Sequence, residues 1–399
     1  MSTVSSHSSS SLKNVSSKTA GPRLAKFENA WRYFWGCKPK ALLNPVPVDL
    51  SITAIIPAYN EEACIANTIS SIKAQTRGVD RIIVVDDCSS DTTGNIARAM
   101  GVDVLRTPVN KGTKARAQNY ALMETRSVET DLFVTIDADT SLAPDAIAEA
   151  FRFFADPRTA FVCSFVIPAR VETFWEHARL VDYLYGLPVM KSAQNHSGSI
   201  FVSSGCFSIF RTDVVRQLGG FDARTIAEDM DLTWKISKLP YNERLPHRGY
   251  YAPKAICYPV EPPTAAIYCK QMYRWQCGLM QNVRVRGFNL FRTLSRGLAV
   301  RTYLYLLMGI GGPIGVAIGA FELSRHFSWE AAGSIVAALA IAVWAPVLMQ
   351  AKELGLFRKA LIGLPIYFVV QYVNMCIFIY AMYKDWIRRD TLVVWDKGH

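Results

Sequence analysis

Four short runs in this chain place chemically competent side chains at close spacing. Asp86-Asp87 closes the apolar run Arg81–Val85 and leads through Cys88-Ser89-Ser90-Asp91 to Thr92. Capping accounts for Ser90 or Asp91, because a side-chain oxygen there satisfies free N–H groups at a helix start. It does not account for adjacent carboxylates at the end of an apolar run, where repulsion and desolvation need a ligand to offset them. Asp137-Ala138-Asp139 closes a second apolar run, Leu132–Ile136. Two carboxylates one residue apart at a strand end can share a hard divalent cation, which takes its other oxygens from a bound phosphate. Such a pair is also common in turns, and its place at a strand end is what raises it. Glu228-Asp229-Met230-Asp231 puts acids into the start of a helical run. In Gln271-Met272-Tyr273-Arg274-Trp275, positions i, i+3 and i+4 predict that Gln271, Arg274 and Trp275 share one helix face. An amide, a guanidinium and an indole together suit a polyhydroxylated ring and a phosphate. A place in the aromatic belt of a bilayer is the rival reading for Trp275.

These residues need elements to hold them. Between 51 and 262, β-rich runs (Ile52–Ile56, Arg81–Val85, Leu132–Ile136, Phe161–Ile167) alternate with helical stretches (Glu62–Ala74, Thr92–Ala99, Pro144–Phe154). That alternation predicts an α/β domain, a mostly parallel sheet covered by helices on both faces. Ligands bind such sheets beyond the carboxyl ends of the strands, where Pro57–Glu62, Asp86-Asp87 and Asp137–Asp139 fall. Around this domain, 49–262, the reading places a Ser-rich disordered tail at 1–23. The aromatic and basic segment 24–48 either lies in a membrane interface or packs on the globular domain. Interfacial helices are expected over 263–299, about three transmembrane helices over 300–385, and a C-terminal tail over 386–399. The spans Thr302–Phe321, Ala331–Ala351 and Ala360–Tyr383 hold 20, 21 and 24 residues without a charge. Each is long enough to cross about 30 Å of hydrocarbon as a helix. Three crossings put the C-terminus outside, whereas Lys384, Arg388, Arg389 and Lys397 favour the cytosol; a re-entrant first span, broken at Gly311-Gly312-Pro313, would resolve this.

Composition narrows the class. Of 399 residues, 50% are hydrophobic and 19% charged, which leans toward a membrane protein and excludes a disordered chain. Nine cysteines without a C-x-x-C pair, and histidines without H-x-x-x-H spacing, argue against a disulfide scaffold or a histidine-built metal site. The thiols read as reduced and the globular part as cytosolic. The net charge of +11 suits anionic lipid, a phosphorylated ligand or nucleic acid; the basic residues gather around the apolar spans, which argues against nucleic acid.

The ordered set Pro57–Glu61, Asp86-Asp87, Asp137-Ala138-Asp139, Glu228-Asp229 and Gln271-x-x-Arg274-Trp275, followed by apolar spans, resembles the family 2 glycosyltransferases. Within them it is similar to the membrane-embedded processive synthases of hyaluronan, chitin, cellulose and poly-N-acetylglucosamine. The likeness covers about residues 50–385. Ser204-Gly205-Cys206-Phe207-Ser208-Ile209-Phe210-Arg211 resembles the acceptor-side segment of the chitin-synthase-like branch, and Thr391–Lys397, with Trp395, faintly resembles the gating segment. The resemblance implies a GT-A (Rossmann-like) fold acting on a UDP-sugar. It gives Pro57, Tyr59, Glu61 and Asp87, with Asp86 in support, to the uridine, and Lys114 and Lys111 to the basic segment near the nucleotide. It gives Asp139, aided by Asp137, to Mg²⁺ or Mn²⁺, and Asp229, beside Glu228, to general base catalysis. Gly205, Cys206, Gln271, Arg274, Trp275 and Trp395 would frame the acceptor and diphosphate.

The implied reaction is metal-assisted direct displacement with inversion, from UDP-N-acetylglucosamine to a growing polysaccharide, by a multi-pass plasma-membrane protein. Two other readings stand beside it: a single-sugar lipid glycosyltransferase resembling ceramide glucosyltransferase, and a non-catalytic sugar- or nucleotide-binding membrane protein that kept the fold. The sequence departs from the synthases in showing no N-terminal transmembrane helix and few spans for a polymer channel.

Overall fold

The structure is a computed structural model that describes residues 49–110, 112–195, 199–243, 245–325 and 328–390. The expected tail 1–23 and segment 24–48, together with Lys111, the 391–397 segment and Trp395, lie outside the described residues.

Eight strands form one sheet. They are β1 (Ile52–Ala58), β2 (Arg81–Asp86), β3 (Asp103–Arg106), β4 (Leu132–Ile136), β5 (Thr140–Leu142), β6 (Thr159–Val166), β7 (Phe207–Arg211) and β8 (Arg248–Pro259). Their order across the sheet is β3-β2-β1-β4-β7-β6-β8-β5. Strands β1 to β4 pair in parallel, and so do β6 and β8, whereas β7 and β5 run against their neighbours. The sheet is therefore mostly parallel, as its Val- and Ile-rich runs predict. β4 and β6 are buried at every position, the mark of strands covered on both faces.

The covering helices of the domain are α1 (Ile65–Lys73), α2 (Thr93–Ala99), α3 (Lys114–Asn119), α4 (Ala146–Phe151), α5 (Phe174–Tyr185) and α6 (Glu228–Ile236). The expected helix Pro144–Phe154 splits into α4 and a 3₁₀ turn, Arg152–Ala155. α5 starts on a capping box: the Thr173 hydroxyl accepts from the Glu176 amide while Glu176 accepts from the Thr173 amide.

The region expected to lie in the interface forms one 22-residue helix, α7 (Ala265–Arg286), and a single short turn, Leu290–Thr293. Beyond it come α8 (Arg296–Arg325), α9 (Trp329–Leu339), α10 (Ala345–Glu353) and α11 (Phe357–Met382). A π-helical turn, Ala340–Trp344, joins α9 to α10. The stretches Arg296–Gly319, Trp329–Glu353 and Phe357–Ile387 are each long and apolar enough to cross a membrane. The break expected at Gly311-Gly312-Pro313 does not interrupt α8, which carries Pro313 inside it. Val347, Ala351, Ala360 and Leu364, on α10 and α11, belong to the same apolar core as the sheet, so the ends of these helices are anchored on the α/β domain.

Candidate functional site

The carboxyl ends of β1, β2 and β4 gather the expected residues. Pro57 lies opposite Val85, and Ala58, which ends β1, lies opposite Asp86 in the parallel register. Beyond β1 the chain turns through Asn60 at φ 53°, whose side-chain oxygen accepts from the Ser90 amide. Asn tolerates the left-handed region better than most residues. This turn leaves Tyr59 exposed, at 42%, and Glu61 buried, with the Glu61 amide donating to the Thr93 hydroxyl at 2.8 Å.

Asp86 and Asp87, adjacent in sequence, do different work. Asp86 is wholly buried; Arg106 donates to it at 2.6 Å and the Ser89 amide at 2.8 Å, which ties β2 to β3 and closes the turn. Asp87 accepts from the Thr107 hydroxyl at 2.6 Å, and its amide donates to the Ala58 carbonyl at 2.8 Å. Asp87 lines a small cleft with Pro108, Val109, Arg116 and Tyr120.

The other half of the site is assembled by antiparallel pairing. β7 lies against β4 with Phe207 opposite Ile136, and the Asp137 amide donates to the Cys206 carbonyl at 3.1 Å. Gly205 and Cys206 therefore sit beside Asp137 although they lie 68 and 69 positions from it in the chain. The Lys114 ammonium, at the start of α3, bridges the two segments, 2.5 Å from Asp137 Oδ1 and 2.7 Å from the Gly205 carbonyl. A Cβ at Gly205 would come within 3.0 Å of Asp229 Oδ2, so a glycine lets this carboxylate approach the backbone.

The loop before α6 is pinned from outside by α7. Gln281 Oε1 accepts from the Ile226 amide at 2.8 Å, and Asn282 Nδ2 donates to the Thr225 hydroxyl at 3.2 Å. Arg286 pairs with the buried Asp231 at 2.6 Å. A Cβ at Gly278 would lie 2.4 Å from that of Ala227, so only a glycine admits the contact that sets where Glu228 and Asp229 begin. The same helix carries Gln271, Arg274 and Trp275.

Their charges act on one another at short range. Burial pushes the Glu228 carboxyl up to about 7, and the neighbouring Asp229 charge adds to this. Burial also raises Asp229, against the pull of Lys114 and Lys191. Burial works against the charge on Lys114, yet Asp137, Glu228 and Asp229 together hold its pKa above the ordinary lysine value. Burial lowers the pKa of Arg274, and the charges of Glu228, Asp137, Asp229 and Asp139 oppose that fall. Acids and cations thus converge on one half-buried spot, the environment expected of a reaction centre rather than of a solvated face.

The Gln271–Trp275 segment, on one helix as predicted, meets two sets of partners. The Arg274 charge interacts with the acid cluster. Gln271 and Trp275 turn to a buried arginine, Arg179 of α5: its Nη2 donates to Gln271 Oε1 at 2.7 Å, and its guanidinium lies 4.9 Å from the centre of the Trp275 ring.

Sequence reasoning passed over four residues here. Lys191 is buried and donates to the Ser204 hydroxyl at 3.2 Å. Glu261 is buried, accepts from the Tyr183 hydroxyl at 2.7 Å and pairs with Arg179 at 3.2 Å. Arg179 and Thr107 complete the set. Only Glu261, an acid between a strand end and Pro262-Pro263, carried a local signal; the others are single polar residues on helices and turns.

Residues 53–219 match the family described as Glycosyl transferase family 2. Over 182 residues the chain is 34% identical to hyaluronan synthase of Streptococcus pyogenes, a stretch that is 42% of this chain and 42% of that protein. Over 272 residues it is 24% identical to poly-beta-1,6-N-acetyl-D-glucosamine synthase of Staphylococcus epidermidis, covering 64% and 63%. The matched stretch thus spans less than half the length of the hyaluronan synthase. Among solved structures the fold is similar to that of the mannosyltransferase PcManGT from Pyrobaculum calidifontis, in complex with GDP-Man and Mn²⁺, with a TM-score of 0.53, 20% identity, and 85% of this chain and 93% of that one covered. The sheet is accordingly that of a Rossmann-like GT-A fold, and residues 53–219, which match family 2 glycosyltransferases, lie in a chain similar to two polysaccharide synthases.

Proposed function

We propose that the protein is an inverting membrane glycosyltransferase that moves a sugar, N-acetylglucosamine by preference, from its UDP conjugate onto a growing polysaccharide. The observation that carries this reading is the meeting of Glu228 and Asp229 with Lys114 and Arg274, beside Asp137 and Asp139, at the carboxyl edge of the sheet. Asp87 and Tyr59, flanked by Pro57 and Glu61, hold the uridine at the β1 and β2 ends, while Asp86 fixes the loop that presents Asp87. Asp229, at the helix start, accepts the proton of the acceptor hydroxyl. A positioned carboxylate contributes roughly 10²–10⁴-fold in such a role. Glu228, pushed up to about 7 by burial and the Asp229 charge, is only partly ionised near neutral pH, which lessens the negative charge in the pocket. The Arg274 and Lys114 cations balance charge that develops on the departing diphosphate.

Asp137 and Asp139 fit a divalent cation, Mg²⁺ or Mn²⁺: both are hard oxygen donors at a strand end and partly exposed. No cluster of three or more His, Cys, Asp or Glu side chains able to hold a metal occurs among the described residues, and diphosphate oxygens and water would supply the rest of the shell. When bound, such an ion supplies Lewis-acid charge to the leaving group. Gln271, Trp275, Gly205 and Cys206 frame the acceptor. The catalytic domain faces the cytosol at the plasma membrane, and anionic headgroups meet the basic residues around α7 and the start of α8.

Purified protein in lipid, given radiolabelled UDP-N-acetylglucosamine and Mn²⁺, is expected to release UDP and build high polymer, resolved by size. A single glycolipid product would replace the polymerase reading with a lipid transferase. No UDP release from any UDP-sugar would overturn catalysis altogether.

A further inference from the structure

Arg179 is a buried charge that none of the assigned roles uses. It projects from α5 and is 1% exposed. Its guanidinium is surrounded by protein groups: Nε lies 3.2 Å from Glu261 Oε2, Nη1 3.2 Å from Asp182 Oδ2, and Nη2 donates to Gln271 Oε1 at 2.7 Å. Tyr268 and Trp275 flank the same guanidinium, with ring centres at 4.8 and 4.9 Å. The cage extends in two directions. Tyr183 donates to Glu261 at 2.7 Å. Through Asn374, which accepts from the Tyr268 hydroxyl at 3.1 Å, and Gln371, which donates to Asp182 at 3.4 Å, it reaches the last apolar helix, α11.

Burying a guanidinium costs several kcal/mol unless it is paired; here Nη1 and Nη2 donate to Asp182 and Gln271, while Nε faces Glu261 as an ion pair without a hydrogen bond. A lysine could supply the charge, but not a planar fork that serves three partners while stacking between two rings. The geometry constrains Gln271 and Trp275 in specific ways. With Oε1 held by Arg179, the amide NH₂ of Gln271 is turned away from the cation and presents donors. With the guanidinium on one face of the indole, the stacking face of Trp275, which is 37% exposed, is the opposite one.

We infer that Arg179 is a positioning residue for sugar acceptors: by holding the Gln271 carbonyl oxygen and one face of Trp275, it orients the Gln271 amide donors and the free indole face toward the incoming saccharide. The inference rests on the glycosyltransferase reading and deepens it, because it assigns acceptor binding, and not donor binding, to a residue 92 positions from the motif it serves.

The test uses full-length protein in lipid, with Arg179→Lys and Arg179→Gln compared against wild type. The readouts are the KM for an N-acetylglucosamine tetrasaccharide, the KM for UDP-N-acetylglucosamine, kcat, and UDP binding. In both variants the acceptor KM is expected to rise about tenfold, the loss of one desolvated cation–π contact and its hydrogen bond. Donor KM, UDP affinity and kcat stay within about twofold of wild type, the scatter usual for substitutions outside a contact. The Trp275 emission, isolated as the difference from Trp275→Phe, shifts to the red in Arg179→Gln, and its quenching by the tetrasaccharide weakens. An unchanged acceptor KM overturns the proposal. So does loss of UDP binding in the conservative Arg179→Lys variant, which would make the residue a general support of the fold. If wild type releases no UDP from any donor, the functional reading fails instead, and the emission of Trp275 with its quenching still decides whether Arg179 orients the platform.

Discussion

The two acid pairs of the site, Asp86-Asp87 at the end of β2 and Glu228-Asp229 at the start of α6, look alike in the sequence and are opposites in the fold. The first is neutralised locally: Asp86 takes Arg106 and the Ser89 amide, and Asp87 takes Thr107. Its partners come from β3 and the turn itself, within about twenty positions. The second pair is crowded. Its countercharges, Lys114, Arg274 and Lys191, come from three distant segments, and burial raises both carboxyls. A tied pair builds a rigid wall against which a ligand can rest, whereas a crowded pair holds protons that can move. The difference teaches that adjacent acids reveal a function only through what surrounds them.

Four substitutions would break or sharpen that contrast. The largest effect is expected at the crowded pair. Asp229→Asn lowers kcat by roughly 10²–10⁴-fold, the worth of a positioned base, with UDP affinity intact by equilibrium binding. A variant that turns over normally at saturating substrate would remove Asp229 from that role. Next comes Arg274→Gln, expected to cost on the order of 10²-fold in kcat, as for one removed electrostatic donor; an effect on acceptor KM alone would move Arg274 to the platform with Trp275.

At the tied pair the expectation is structural. Asp86→Asn leaves Arg106 and the turn without a carboxylate, and chemical unfolding should show a loss of about 1–3 kcal/mol. The kcat of the folded fraction stays near wild type. A large fall in kcat without a fall in stability would show that the two pairs are alike after all. The smallest effect is in pH dependence. Folded Glu228 titrates at about 7 against 4.5 for an ordinary glutamate, so the folded chain holds this proton the more tightly. That contribution to stability is complete below about 4.5 and is lost as pH rises through about 7. Glu228→Gln should flatten the fall in unfolding midpoint across that window, and an unchanged slope would show that another group titrates there.

Much of the site was legible because its elements have local signatures. The runs Ile52–Ile56 and Leu132–Ile136 are apolar apart from one threonine each, a pattern that strands covered on both faces show, and the acids after them fall where such sheets bind ligands. What stayed hidden depends on direction and distance. No pattern within Phe207–Arg211 tells that β7 runs against β4, yet this reversal brings Gly205 and Cys206 to Asp137. Helical spacing placed Gln271, Arg274 and Trp275 on one face, but it could not tell that the Arg274 charge interacts with the acids while Gln271 and Trp275 contact Arg179.

The sequence by itself determined four of the eight strands (β1, β2, β4 and β6), the three apolar helices and the acids at the strand ends, because periodicity, hydropathy and turn chemistry act over a few residues. Only the tertiary structure decided which acids are tied and which are crowded. Lys114 meets the Gly205 carbonyl across 91 positions and Arg179 meets Gln271 across 92. The protonation of Glu228, in turn, follows from the burial and neighbouring charges that the packed chain creates.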